Sequence, residues 1–362
     1  MTAPTDPRLD DKSPAPELAR AEQCDAAGRH YDAVNELARA AQRGDVEATT
    51  RLAKRLIVGD RAPLLPRDGV ALLRQAAQSG GAEAAGRLAV LVAAGLNGHQ
   101  DWPAALELLV HAAERGWQPA RDQLGVLASP SPGDGPDPSS TRHWRQLAAA
   151  VDVASWHVAP AGTTLHESPL IRALPSFVSE AVCSWLVERS RGKLTRALVY
   201  DPAKKVDIID KTRTNSSAGF NLMEADLVHL MVQTRMGAAC GYPIAHFEGP
   251  AVLHYAEGET ISDHFDFVDP AMPSYAEEIR TNGQRVITFL VYLNAGYAGG
   301  ETEFPKLDLS HKGALAEGLF FVNSLPSQEP DLRALHAGRP PTSGEKWIFS
   351  QFIRDRAVLR FA

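Results

Sequence analysis

The sequence predicts a multidomain protein of two unlike halves. The first is an N-terminal α-solenoid of helical repeats; the second is a mixed α/β half built as a β-sandwich or jelly roll with supporting helices. Three observations predict this. An Ala/Leu-rich stretch repeats at a fixed spacing of 36 residues. A Pro/Gly/Ser-rich stretch, ASPSPGDGPDPSS, follows it. Beyond about residue 160 the texture changes to helical stretches and short β-rich runs bounded by Gly, Pro or Asn. A chain of 362 residues is also long for a single core.

Residues 1–20, rich in Pro and Asp, read as a disordered lead. The repeats then occupy 21–128. Leu37, Leu73 and Leu109 fall in one column; Ala40, Ala76 and Ala112 form the next, and Ala41, Ala77 and Ala113 a third. Gly44, Gly80 and Gly116 follow, then Ala48, Ala84 and Ala120, and Leu52, Leu88 and Leu124. Within each copy apolar positions recur at three- and four-residue steps, so each copy is a helix pair. Small alanines let helices approach closely, and a glycine after the second helix suits a left-handed cap. This pattern is the mark of an α-solenoid. The stretch AEAAGRLAVLVAAGLNG resembles the Sel-one-like branch of the tetratricopeptide-type repeats. Residues 129–160 read as a linker with a short helix near Trp144–Val151. The second domain, 161–362, has helical stretches at 176–190 and 222–239 and strand-like runs AVLHY, RVITFLVYLN, GLFFVNS and KWIFSQFIR.

A net charge of -7 gives none of the basic footprint that nucleic-acid binding usually leaves. No apolar stretch approaches the roughly 20 residues that span a bilayer, and the first residues lack the apolar core of a secretory signal. The three cysteines, Cys24, Cys183 and Cys240, are far apart and odd in number. That argues against a disulfide framework and for a reducing compartment. The expectation is a cytoplasmic protein with no nucleic-acid or membrane partner.

The chemistry concentrates late in the chain. In His264-x-Asp266 a histidine and a carboxylate are separated by one residue, which on a strand points both to the same face. A distant histidine, His336, would complete a 2-His-1-carboxylate set of the kind that holds non-haem Fe(II) with open positions. Lys346 follows ten residues later, entering a predicted strand. His229, His246, His254 and His311 read instead as packed or surface histidines.

Taken with the pieces YLN, GGETEFP, LHAG and GEKW, these residues resemble the prolyl 4-hydroxylase-like group of 2-oxoglutarate/Fe(II) dioxygenases. The match spans about 165–356 and is strongest over 250–353. The resemblance implies a double-stranded β-helix, with Fe(II) held by His264, Asp266 and His336. It implies 2-oxoglutarate with its far carboxylate on Lys346 and with Tyr255, Thr288 and Tyr292 lining its pocket. O2 would be the oxidant, succinate and CO2 the products, and ascorbate a reductant. Arg213-Thr214-Asn215 with Ser216 resembles the family's Arg-Thr-Ser-type loop, interrupted by the asparagine, so Arg213 and Ser216 are candidate substrate contacts. The polar insert 267–284 is suited to a mobile lid. The implied reaction is hydroxylation of a prolyl residue in a protein or peptide, docked by the repeats. A free amino acid or small metabolite as substrate, or a repeat scaffold whose barrel only binds, stays open.

Overall fold

A computed structural model describes residues 16–96, 98–128, 141–201, 206–325 and 327–358. Residues 1–15 of the expected lead and the Pro/Gly/Ser-rich stretch over 129–140 lie outside the described residues. The chain divides into two compact units. One comprises the residues up to Leu88 together with His111–Trp117. The other comprises Ala89–Val110 and the residues from Gln118 onward.

Helix α1 (Pro16–Ala26) precedes six helices that carry the repeat columns: α2 (His30–Gln42), α3 (Val46–Val58), α4 (Pro66–Gln78), α5 (Ala82–Ala93), α6 (Trp102–Glu114) and α7 (Gln118–Ala128). The columns are the buried positions: Leu37, Leu73 and Leu109 are all at most 1% exposed. Gly44, Gly80 and Gly116 follow α2, α4 and α6 with φ near +90°, the left-handed cap that the spacing predicts. Asp45 then starts α3 by accepting the Ala48 amide at 2.7 Å. In the first unit, Leu18, Ala21 and Cys24 of α1 pack with Leu37, Ala40, Leu52 and Leu56 of α2 and α3. The expected lead is therefore helical from Pro16, because Leu18 and Ala21 give it an apolar face to bury.

In the second unit the short helix expected near Trp144–Val151 within the linker is α8 (Thr141–Ala150), and a further turn, α9 (Val153–Trp156), follows it. Three further helices are α10 (Glu180–Arg191), α11 (Leu227–Cys240) and α12 (Ala276–Asn282). The strands before the metal-binding pattern are β1 (Thr163–Glu167), β2 (Leu170–Leu174), β3 (Thr195–Arg196), β4 (Val199–Asp201), β5 (Val206–Ile208), β6 (Ser216–Gly219) and β7 (Ala251–Tyr255). Those from it onward are β8 (Ile261–His264), β9 (Arg285–Tyr292), β10 (Ala298–Gly299), β11 (Thr302–Phe304), β12 (Leu309–His311), β13 (Gly318–Val322), β14 (His336–Gly338), β15 (Pro341–Ser343) and β16 (Lys346–Arg354).

Among the described residues the strands form a large antiparallel sheet in the order β1-β2-β13-β9-β16-β7-β6-β3 and a smaller one in the order β12-β11-β14-β8. Ile171, Leu290, Tyr292, Leu319, Phe321 and Ile348 of the large sheet meet Phe304 of the small one in a single apolar cluster. That is a jelly roll, as the alternation of the strands predicts. Helix α11 braces the large sheet: Gln233 donates to Gln351 of β16 at 2.7 Å, both side chains being buried. Helix α7 is fastened to the same helix, because Gln123 accepts the Leu227 amide at 2.9 Å and so satisfies a buried helix N-terminus. No described helix is long and apolar enough to cross a membrane. Cys24, Cys183 and Cys240 are free thiols.

Candidate metal centre

Strand pairing brings the distant histidines together. Strands β8 and β14 run antiparallel with His336 directly opposite His264, and the two rings lie 4.3 Å apart. Asp266 follows just beyond the end of β8 and turns its carboxylate between them. Its Oδ1 is 3.4 Å from His264 Nε2 and its Oδ2 is 3.2 Å from His336 Nε2. One donor atom from each residue falls within 4.8 Å of the others, the one such group of three among the described residues.

Both histidines are set by the same local device. Nδ1 of His264 donates to the Ser262 carbonyl at 2.8 Å, and Nδ1 of His336 to the Ala334 carbonyl at 3.1 Å. A carbonyl can only accept, so Nδ1 carries a hydrogen and Nε2 is the nitrogen turned to the centre, where it can donate to Asp266 or, on losing its proton, offer a lone pair to a metal. Burial alone would raise the Asp266 pKa. The charge of His336 and hydrogen bonds from both histidines outweigh it and hold the carboxyl well below the usual range. Burial would likewise lower the His264 pKa, but the hydrogen bond and charge of Asp266 raise it. Three groups that each want a cation among them fit a divalent metal with borderline nitrogen and hard oxygen ligands.

A cavity of about 520 Å³ opens on these groups and is also lined by Tyr255, Arg213, Leu290, Ile348 and Lys346. Lys346 is 1% exposed and begins β16 in register with Tyr255 of β7. Its ammonium lies 5.1 Å from the Tyr255 ring and 5.8 Å from the Tyr292 ring. Among the described residues no carboxylate reaches ion-pair distance of it. Burial pushes its pKa down to about 7, against the opposing charge of Glu301. A buried cation facing a cavity that also holds a three-ligand centre fits a ligand with a metal-binding end and a second anionic end.

Of the other expected site residues, Thr288 and Arg213 line this cavity, and Tyr292 and Ser216 do not. Thr288 lines the cavity, but its hydroxyl donates to Asp266 Oδ2 at 2.7 Å and accepts from the Asn323 amide at 2.9 Å. Its hydroxyl is thus engaged with the metal-facing carboxylate. The Tyr292 hydroxyl pairs with Thr302 at 2.9 Å inside the apolar cluster, so only its ring approaches Lys346. Arg213 lines the cavity, steadied by a hydrogen bond from Nε to the fully buried Asn215 at 3.3 Å. The asparagine that interrupts the expected loop pattern thus positions the arginine before it. Ser216 is drawn into β6, paired with His254 of β7, and lies outside the cavity lining.

The insert 267–284 is clamped at both ends rather than loose. The Gln284 amide accepts from Val268 N at 2.7 Å and donates to Val268 O at 2.6 Å, imitating a strand pair. Arg354 holds Glu278 of α12 at 2.6 Å. Gly283, at φ +78°, closes the turn where a Cβ would sit 1.8 Å from Asp355 Oδ1. Asn323, Gln284 and the pair Glu248–Arg285 carry no local motif, and their roles depend on partners far away in the chain.

The same region is similar to known proteins. Residues 250–354 match the 2OG-Fe(II) oxygenase superfamily. Probable prolyl 4-hydroxylase 7 of Arabidopsis thaliana is 26% identical over 242 residues, which cover 61% of this chain and 74% of that protein. Prolyl 4-hydroxylase subunit alpha-1 of Gallus gallus is 28% identical over 190 residues, 52% of this chain and 36% of that one. The chain thus spans about three quarters of the plant relative and about a third of the avian one. Among solved structures, the viral collagen prolyl hydroxylase of Paramecium Bursaria Chlorella virus-1, as its 2OG complex, is 27% identical with a TM-score of 0.39, covering 51% of this chain and 94% of that one. A Sel1 repeat protein from Oxalobacter formigenes is 19% identical with a TM-score of 0.31, covering 40% of this chain and 61% of that one.

Proposed function

We propose that this chain, a 2-oxoglutarate/Fe(II)-dependent dioxygenase with a prolyl 4-hydroxylase-like catalytic domain, hydroxylates a prolyl residue in a protein or peptide. The observation that carries the reading is the convergence, in one cavity, of His264, Asp266 and His336 with the buried ammonium of Lys346. Fe(II) and 2-oxoglutarate, when bound, supply oxygen activation coupled to decarboxylation of the cosubstrate to succinate and CO2.

The protein's own residues do the positioning. His264, Asp266 and His336 would hold the metal, offering two Nε2 atoms and one carboxylate. Lys346 neutralises the far carboxylate of the cosubstrate, with Tyr255 beside it giving orientation. Thr288 and Asn323 keep Asp266 turned toward the metal. Arg213 stands at the cavity wall as a contact for the substrate backbone. The helical repeats would offer a docking surface for a protein substrate, and ascorbate would serve as an external reductant.

The test is succinate release from 2-oxoglutarate with Fe(II), together with the gain of one oxygen on a proline-containing peptide. His264→Ala and Asp266→Ala should each abolish both. Full succinate release by either variant would refute the metal assignment. Succinate release with no oxygen on any proline peptide would refute the prolyl assignment alone.

A further inference from the structure

A second cavity, of about 980 Å³, lies against the metal centre and shares Phe265, Asp266, Tyr275 and Arg285 with the first. We infer that this cavity seats the substrate segment flanking the target residue, and that it selects apolar over acidic side chains there. The inference rests on the proposed peptide reading and narrows it to a class of sequence.

Its walls argue for that occupant. Phe265 and Phe267 flank Asp266 in sequence and stack on each other, ring centroids 4.7 Å apart, yet both stay partly exposed beside the cavity. Tyr275 and Met272 of the clamped insert, and Pro330 and Leu332 of the segment before His336, complete an apolar lining. Leu332 is 57% exposed. A large aliphatic side chain left in water at the mouth of a functional cleft marks a surface that expects apolar company. The volume suits several residues rather than one free amino acid.

The charges on the lining point the same way. Its one cation among the described residues, Arg285, is already gripped by both oxygens of Glu248, at 2.7 and 2.9 Å. A free amino acid would bring an α-carboxylate with no unpaired cation here to meet it. Asp269 and Glu278 also line the cavity, and Glu278 is spoken for by Arg354. An acidic flanking residue would therefore meet carboxylates and apolar rings. The wall is preformed, since Gln284 fastens Val268 and Arg354 fastens α12. A preformed wall lowers the ordering cost of seating a flexible peptide.

The experiment uses the full chain and three probes: a capped pentapeptide with proline between Leu and Val residues, the same peptide with Glu in their place, and free L-proline. Binding is measured by calorimetry under nitrogen, with Fe(II) and 2-oxoglutarate and again without them. The Leu/Val peptide should bind at least tenfold more tightly than the Glu peptide, and L-proline should not bind measurably. Phe267→Ala should weaken the Leu/Val peptide at least tenfold. Leu332→Asn, at an exposed position where folding is little disturbed, should do the same and narrow the gap to the Glu peptide. Equal binding of the two peptides, no binding of either, or no response to both substitutions would overturn the inference. Mass spectrometry after adding oxygen separates the two layers. Selective binding with no oxygen gained on proline supports the groove and removes the prolyl assignment.

Discussion

Replacing Lys346 with methionine should pull apart two opposed effects of one side chain. In the protein without cosubstrate the ammonium is buried beside Tyr255 and Tyr292, and burial lowers its pKa from 10.5 to about 7. That difference corresponds to roughly 5 kcal/mol against the charged form, at about 1.36 kcal/mol per pH unit. The unfolded chain keeps this proton up to about pH 10.5 while the folded chain releases it near 7. Between those values the unfolded state holds more protons, so this residue makes stability rise with pH across the window. Below pH 7 both states are charged and the penalty is complete. Methionine fills similar space without charge, and removal of a buried charge in favour of an apolar side chain is commonly stabilising by about 1–4 kcal/mol. Urea unfolding of the metal-free Lys346→Met protein should therefore show a gain that is largest below pH 7 and fades toward pH 10. The same variant should lose the stabilisation that 2-oxoglutarate gives with iron. Truncating one partner of a buried charge pair costs about 2–5 kcal/mol, roughly thirty-fold to several thousand-fold in affinity. A variant that is less stable at low pH and is still protected by 2-oxoglutarate would refute the assignment of Lys346 as the buried anchoring cation.

Two further predictions concern residues whose hydrogen-bond partners lie elsewhere in the chain. Thr288→Val removes the hydrogen bond to Asp266 and should lower Fe(II) affinity by about 10–100-fold. The 2-oxoglutarate requirement at saturating iron should stay unchanged, as parallel titrations of iron and cosubstrate will report; the reverse pattern would make Thr288 a cosubstrate contact. Gln123→Ala leaves the buried Leu227 amide without its acceptor and should cost about 1–3 kcal/mol in urea unfolding of the full chain. A loss below about 0.5 kcal/mol, the scatter of neutral surface changes, would mean that α7 does not help hold α11.

What the sequence made legible follows from how far apart the deciding partners lie. The repeat columns were readable because each helix meets its neighbour through the same positions every 36 residues, and Leu37, Leu73 and Leu109 are buried for that shared reason. The metal ligands were readable because the chemistry restricts the residue types, and β8 and β14 had only to pair once to set His264 against His336. Thr288 and Tyr292 fared otherwise. They sit on the same face of β9, but four residues along a strand is about 13 Å, so they meet different neighbours. Thr288 reaches Asp266 and Asn323, whereas Tyr292 reaches Thr302. Alternation gives the face, and the crossing strands choose the partner.

The same limit hid Gln123. It reads as one polar residue on a repeat helix, yet it is 2% exposed, and its partner is an amide 104 residues further on. A glutamine at a core-facing helical position was the available signal, because such a group is tolerated only when its hydrogen bonds are met. The helix that closes the repeat pattern by sequence therefore belongs, by its hydrogen bonds, to the unit that carries the metal centre.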